Sequence, residues 1–384
     1  KLAGIDFEET VTRKYPSTPF ASNLVGFATY DEDKQKIVGK LGLEQSLNKH
    51  LSGTQGEMTY QQTVSGDVLP GTTNVIKQAE DGANVKLTLD ANLQKTVETQ
   101  LKKTMKDNNA ESAWCVVMEP STGKVLAWTS YPTFNQNTHK TIPTFTNLIS
   151  ESAYEPGSVM KPFTFAIDTG VYPKDETYRA GSFLYTYDAS TKKITRIQSG
   201  STPYPAINDA LGEDFGTITF DQALAYSSNV GICELLANYV NYKDYGKYMK
   251  KFGLYQKVGT PWINEVAGQK NFSMPMGYLN SGFGQGSSIT ILQLMQAYTA
   301  IFNDGQMMMP YVVDSITDAD TGKTIKKYSP TKVSKPISSD TAKQVRELMS
   351  HVLDDGASGE KFKMDGVDMV AKTGTGQIYD SKTG

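Results

Sequence analysis

The sequence predicts an α+β fold in which an antiparallel sheet is flanked by helices and preceded by an irregular accessory domain. Three observations carry this. The texture changes near Val85, where alternating apolar residues replace a stretch rich in Gly, Thr, Ser and Gln. After that point the elements run strand, helix, hairpin, several helices and strand, an order that lays helices on an antiparallel sheet. The length, 384 residues, corresponds to two or three domains at roughly 150 residues each. Residues 1–82 are assigned to the accessory domain and 83–384 to the main one.

Taken in order, residues 1–82 hold short apolar runs such as Asn23-Leu-Val-Gly-Phe27, each broken by a turn. Val85-Lys-Leu-Thr-Leu89 alternates as a strand does, and Leu93, Val97, Leu101 and Met105 then recur on one helical face. Asp90 is the expected cap of that helix, and Lys102, Lys103 and Lys106 are expected in its last turn, where cations complement the helix dipole. Ala113–Met118 and Val125–Trp128 flank the turn sequence Pro120-Ser-Thr-Gly123 and predict a hairpin. Helices are expected at about 158–169, 219–239, 289–303 and 339–353. The stretch 176–206 reads as a loop or an inserted hairpin, and Val367–Thr375 returns to strand texture.

Composition excludes several functions. With 38 basic and 41 acidic residues the net charge is −3, which offers no basic footprint for nucleic acid. No run approaches the roughly 18 apolar residues of a membrane helix. Cys115 and Cys233 stand far apart, with no Cys/His cluster to bind zinc, so no metal and no cofactor is expected. His50, His139 and His351 are scattered, and neither H-E-x-x-H nor G-x-S-x-G occurs.

Three short motifs remain: Ser158-Val-Met-Lys161, Ser227-Ser-Asn229 and Lys372-Thr-Gly374. Ser-x-x-Lys alone says little, since it also starts at Ser46, Ser121, Ser190, Ser329 and Ser358. Ser158 differs from these copies in context. It follows the chain-turning Glu155-Pro-Gly157 and precedes Phe163, Ala166 and Ile167 at helical spacing, with Gly170 as the expected stop. Positions i and i+3 of a helix share a face, so the Lys161 amine can reach the Ser158 hydroxyl and activate it as a nucleophile. Ser227-Ser-Asn229 falls at a break between two apolar helical runs, where Ser and Asn also serve as caps. Gly374, ending the 367–375 strand, lets another backbone lie against the strand edge.

In this order, with gaps of 69 and 145 residues, the motifs resemble the signature of penicillin-recognising serine acyltransferases. Tyr154-Glu-Pro-Gly-Ser-Val-Met-Lys-Pro-Phe163, Ser281-Gly-Phe-Gly-Gln-Gly286 ahead of Ser288-Ile-Thr-Ile-Leu-Gln-Leu294, and Val370-Ala-Lys-Thr-Gly-Thr-Gly-Gln377 are similar to class B penicillin-binding proteins. Arg13-Lys-Tyr-Pro16, Leu24-Val-Gly26, Gly42-Leu-Glu-Gln45 and Leu51-Ser-Gly53 resemble that family's N-terminal pedestal.

The resemblance implies a penicillin-binding, serine β-lactamase-like transpeptidase domain behind a dimerisation-type pedestal. It implies a peptidoglycan D,D-transpeptidase that takes the D-Ala-D-Ala end of one stem peptide and an amine of another. Ser158 is then the nucleophile, Lys161 its base and Ser227 the proton shuttle. Asn229 holds the substrate amide, Lys372, Thr373 and Thr375 bind the terminal carboxylate beside Gly374, and the amides of Ser158 and Thr375 form the oxyanion hole. β-Lactams acylate Ser158 as mimics. The resemblance further implies a membrane anchor before residue 1, an extracytoplasmic site on the bacterial membrane, a glycan-polymerising membrane partner, and further strands and a closing helix after Gly384. A D-Ala-D-Ala carboxypeptidase and a non-catalytic β-lactam sensor are the alternatives. A β-lactamase is disfavoured, because no Glu-x-x-Leu-Asn follows Ser227 and the pedestal goes unexplained.

Overall fold

The computed structural model describes residues 11–139, 141–167, 175–354 and 359–376. Two unlike stretches precede Val85. In the first, helix α1 (Ser22–Val25), the hairpin β1 (Phe27–Asp31) and β2 (Lys36–Leu41), and helices α2 (Gly42–Ser46) and α3 (Asn48–Leu51) fold onto the rest of the chain. Leu24, Leu43 and Leu47 are buried in one apolar cluster with Trp128, Ile149 and Val312. Gln136 ties down the approach, its side chain meeting Thr18 and Phe20 at 3.1–3.2 Å. In the second stretch, β3 (Glu57–Thr59) and β4 (Asn74–Lys77) pair only with each other, and every residue of both strands is exposed.

The main body begins with β5 (Asn84–Leu87) and helix α4 (Ala91–Asp107). The Asp90 carboxylate caps α4 as expected, accepting from the amides of Asn92 and Leu93 at 2.9 Å. Of the three lysines expected in its last turn only Lys106 is there, because the helix ends at Asp107. The predicted hairpin forms from β6 (Ala113–Met118) and β7 (Val125–Tyr131).

Helix α5 (Lys161–Phe165) follows a 3₁₀ turn at Gly157–Met160, so the expected helix at 158–169 is shorter and tighter at its start. Gly170, its expected stop, lies outside the described residues. The 176–206 stretch holds β8 (Thr177–Arg179) and a hairpin of β9 (Ser182–Asp188) and β10 (Lys193–Ile197). Then come β11 (Ile207–Asn208) against β9, and β12 (Thr217–Thr219) against β8. The 219–239 region is two helices, α6 (Phe220–Ala225) and α7 (Asn229–Asn238), split at the serines. Helices α8 (Tyr242–Lys251) and α9 (Met276–Gly282) were not expected: α8 buries only Tyr245 and Met249 among its lysines, and α9 has glycine at two of seven positions. Helix α10 (Ile291–Phe302), β13 (Met307–Met308), β14 (Val313–Thr317), β15 (Thr324–Lys327), β16 (Lys332–Ser334) and helix α11 (Ser339–Asp354) complete the order.

The fold is α+β as predicted. Its strand pairs among the described residues are antiparallel and fall into small sheets, the larger ones being β15-β14-β5 and β10-β9-β11. The largest core cluster joins Met160 and Phe163 of the Ser158 region to Leu224, Ile232, Ala297 and Val345 on α6, α7, α10 and α11. One expectation fails. Val367–Thr375 has no ladder partner among the described residues, because alternation suits a strand but only a neighbouring backbone makes one. The segment is held instead against residues 155–159 and, through Val370, against the helical core. No helix among the described residues is long and apolar enough to cross a membrane.

Candidate active site

Ser158 is the second residue of the 3₁₀ turn, half-buried, and the Lys161 amide donates back to the Ser158 carbonyl. Residues three apart share a face on a 3₁₀ turn, so Lys161, the first residue after the turn, follows Ser158 on the same side. Gly157 makes the approach possible. It sits at φ +61°, and a Cβ there would lie 2.3 Å from the Thr375 carbonyl oxygen, so neither the backbone angle nor the space admits a side chain. Its amide donates to the Gly284 carbonyl at 3.0 Å, which is how the Ser281–Gly286 sequence enters the site. Tyr298 Oη donates to the Val159 carbonyl at 2.8 Å and Thr164 Oγ1 to the Gly282 carbonyl at 2.7 Å.

The Ser227–Asn229 corner is two helix ends back to back. Past α6, the Ser227 amide donates to Leu224 O at 3.1 Å and the Ser228 amide to Ala223 O at 2.8 Å, the hydrogen-bond pair of a Schellman C-cap. The left-handed residue of that cap is usually glycine, yet here it is Ser227 at φ +56°. A side chain in that region costs about 1–2 kcal/mol, and such strain gathers at functional sites. Ser228 is an ordinary N-cap, accepting from the Gly231 amide at 2.9 Å. The capping interpretation thus holds for Ser228, while the strained turn delivers Ser227 Oγ to the lysines. Asn229 opens α7 and donates from Nδ2 to the Asn208 carbonyl at 3.0 Å.

Ser227 Oγ stands between two amines. Lys161 Nζ lies 3.1 Å away and also donates to the Ser227 carbonyl, and Lys372 Nζ lies 2.8 Å away. Among the described residues no hydrogen bond joins the Lys161 amine to the Ser158 hydroxyl. Lys161 is fully buried. Burial first, and the neighbouring Lys372 cation second, push its amine well below the ordinary 10.5, partly opposed by Asp209 and Cys233. Burial lowers Lys372 to about 8. Lys161 is thus the amine pushed more strongly toward its neutral form, and one hydroxyl bridges it to Lys372.

The C-terminal segment closes the cluster. Thr373, Gly374 and Thr375 are exposed, and Thr373 O accepts from Lys372 Nζ at 2.9 Å. A Cβ on Gly374 would come 2.8 Å from Pro156 O. All eight residues singled out in the sequence thus meet at one place. Beside Ser227 and Thr373 a hollow of about 150 Å³ opens, walled by the stacked rings of Phe215 and Tyr226 and by Val352, Leu353 and Phe362.

Residues 113–384 match the penicillin-binding protein transpeptidase domain, and residues 1–87 match the penicillin-binding protein dimerisation domain. The chain belongs to the penicillin-binding protein transpeptidase family. The pairing of the two domains is that of its class B members. The chain is 29% identical to stage V sporulation protein D of Bacillus subtilis, over 99% of this chain and 57% of that protein. It is 28% identical to the probable peptidoglycan D,D-transpeptidase PenA of Neisseria gonorrhoeae, over 98% of this chain and 60% of the relative. The crystal structure of penicillin-binding protein 2X from Streptococcus thermophilus superposes with a TM-score of 0.82 at 30% identity, covering 97% of this chain and 55% of that one. The chain therefore spans little more than half the length of these relatives.

Sequence reasoning missed Asp209. It is 3% exposed and accepts from Ser228 Oγ at 2.9 Å and from the Val230 amide at 3.0 Å. No motif marks it, and only the pairing of β11 with β9 brings it behind the serine corner.

Proposed function

We propose that this chain is the catalytic part of a peptidoglycan D,D-transpeptidase working through a Ser158 acyl-enzyme. The observation that carries the proposal is the fully buried Lys161 amine, held low by burial and by Lys372, one 3₁₀ turn after Ser158. A hydroxyl is a weak nucleophile without a base, and a lysine is a base only when unprotonated.

The steps follow from the residues. Lys161 Nζ takes the proton of Ser158 Oγ as that oxygen bonds to the penultimate carbonyl carbon of a stem peptide ending in D-Ala-D-Ala. The negative charge on the carbonyl oxygen is met by the amides of Ser158 and Thr375, each such donor being worth roughly 100 to 1,000-fold in rate. Ser227 Oγ, touching both lysines, passes a proton to the departing D-Ala amine as the C–N bond breaks. Lys372, Thr373 and Thr375 hold the terminal carboxylate, with Gly374 giving the backbone room, and Asn229 holds the substrate amide. An amine of a second stem peptide then attacks the ester and restores Ser158. A β-lactam enters by the same first step.

In this proposal residues 1–82 form the pedestal and 83–384 the transpeptidase domain. The enzyme works at the extracytoplasmic face of the bacterial membrane beside a glycan-polymerising partner. Intact-protein mass spectrometry with benzylpenicillin tests the core of the proposal. One adduct is expected, mapping to Ser158 and absent from Ser158→Ala, and an unchanged mass or an adduct at another serine would overturn it. With a D-Ala-D-Ala stem peptide and a D-amino acid as acceptor, transfer to the amine is expected, and hydrolysis alone would make the enzyme a carboxypeptidase.

A further inference from the structure

Ser227 can bridge the two lysines only if its strained corner is held still, and the structure shows what holds it. Behind the corner lies Asp209, between the end of β11 and the 3₁₀ turn at Ala210–Gly212. Its Oδ1 accepts from Ser228 Oγ at 2.9 Å and the Val230 amide at 3.0 Å, and its Oδ2 accepts from the Gly181 amide at 3.0 Å. Its own amide returns a hydrogen bond to the Gly181 carbonyl at 3.1 Å, and the preceding Asn208 carbonyl accepts from Asn229 Nδ2 at 3.0 Å. Two adjacent residues thus grip all that follows Ser227 in the motif. Asp209 is 3% exposed and Ser228 fully buried. Among the described residues no cation pairs with the carboxylate.

We propose that Asp209 is a positioning residue for acyl transfer, which clamps the Ser227–Asn229 corner through Ser228 and the first turn of α7 and sets a fixed negative charge behind the Lys161 amine. The proposal rests on Lys161 acting as the base. Two physical arguments support it. A buried carboxylate that accepts from three donors, two of them at the start of a ten-residue helix, fixes the backbone and hydroxyl groups that converge on it. The charge also has a use. Lys161 faces Lys372 from the C-terminal segment, Asp209 from the end of β11 and Cys233 from α7. Burial keeps the Cys233 thiol protonated, so Asp209 is the anion set against Lys372. A base driven too low loses proton affinity, and the carboxylate limits how far Lys161 falls.

The clamp and the charge separate experimentally. Ser228→Ala removes the Ser228 link together with the cap on the Gly231 amide and leaves the carboxylate on the Val230 amide, whereas Asp209→Asn removes the charge and turns a donor toward the Gly181 amide. Benzylpenicillin acylation of the full chain, followed by intact mass from pH 5 to 10, reads both. Ser228→Ala is expected to lower the high-pH plateau about tenfold or more, as misplaced catalytic groups do, with an unchanged midpoint. Asp209→Asn is expected to lower the plateau similarly and to move the midpoint to lower pH, because the amine loses the anion that raised it. A wild-type plateau in Ser228→Ala overturns the clamp. An unmoved midpoint in folded Asp209→Asn makes the residue structural only and overturns the charge. Should circular dichroism show Asp209→Asn unfolded, the Ser228→Ala plateau alone decides. Failure of the wild-type chain to acylate at all would instead overturn the reading of Ser158 and Lys161.

Discussion

Helix α7 buries charge in its middle and at its start, and the two places are built in opposite ways. In the middle, Glu234 receives Arg196 Nη1 at 2.6 Å and Asn238 Nδ2 at 2.8 Å. Arg196 spends a second nitrogen on the Ser182 carbonyl at 2.6 Å and lays its guanidinium over the Phe183 ring. Each charge has an opposite charge, and both Glu234 oxygens have a partner. At the start, Lys161 and Lys372 converge on one serine oxygen, and no carboxylate pairs with either amine among the described residues. The first arrangement lets a strand hairpin and a helix share a charge without loss. The second brings two amines close, a conflict in which burial and their mutual repulsion push Lys161 toward its neutral form. Perturbed groups of this kind collect where chemistry is done.

Removing the conflict should remove the chemistry, and this is the largest expected effect. Lys161→Met and Lys161→Arg should both slow acylation by fluorescent penicillin roughly 100 to 10,000-fold, the usual share of a general base. The arginine variant is the more telling, because its guanidinium keeps a cation in place that cannot release a proton. Near-normal labelling by Lys161→Arg would show that the site does not work through a neutral amine. Lys372→Met sharpens the point through pH. Without the second cation the Lys161 amine rises, so more hydroxide is needed to free it, and the acylation midpoint should move to higher pH. A midpoint that moves down would mean that Lys372 does not act on Lys161 by repulsion.

The paired region predicts the reverse behaviour. Arg196→Met leaves the Glu234 carboxylate, with only 11% of its side chain exposed, without its cation, and breaking such a pair costs about 3–5 kcal/mol. Replacing both partners with Met should recover much of that loss. Chemical denaturation of the single and double variants checks it, and equal losses in both would mean that the pair contributes through packing alone.

Much of the site was legible in the sequence because its signals are local. Glu155-Pro-Gly157 and the apolar face after Ser158 set that serine apart from its five look-alikes, and a break between helical runs marked Ser227. What could not be read is what other parts of the chain supply. Whether Val367–Thr375 forms a strand depends on a neighbour, and alternation does not reveal one. Leu24, Leu43 and Leu47 read as an accessory domain, but their partners Trp128 and Ile149 belong to the main body. Asp209 lies 19 residues before Ser228 in a stretch without a pattern, so only the folded chain shows the two touching. Helix α8 escaped notice because its stripe is two residues wide, set in lysine and tyrosine.

The smallest expected effect is also the one that separates the two regions most cleanly. Unfolded, Lys161 titrates near its ordinary 10.5, and folded it titrates well below that. Between the two points the unfolded chain binds more protons, so stability rises with pH across that window. The penalty is complete below the folded titration point, shrinks as the pH climbs and vanishes above about 10.5. Methionine has a similar reach, no charge and a flexible chain that fills the same space. Lys161→Met should therefore be more stable than the wild type by about 1–2 kcal/mol near neutral pH, even though it cannot acylate, with the gain fading toward pH 10. Thermal melts of both proteins from pH 6 to 10 measure this. A Lys161→Met protein less stable than the wild type at neutral pH would mean that the buried lysine is a structural charge like Arg196, and the contrast between the two parts of α7 would fall.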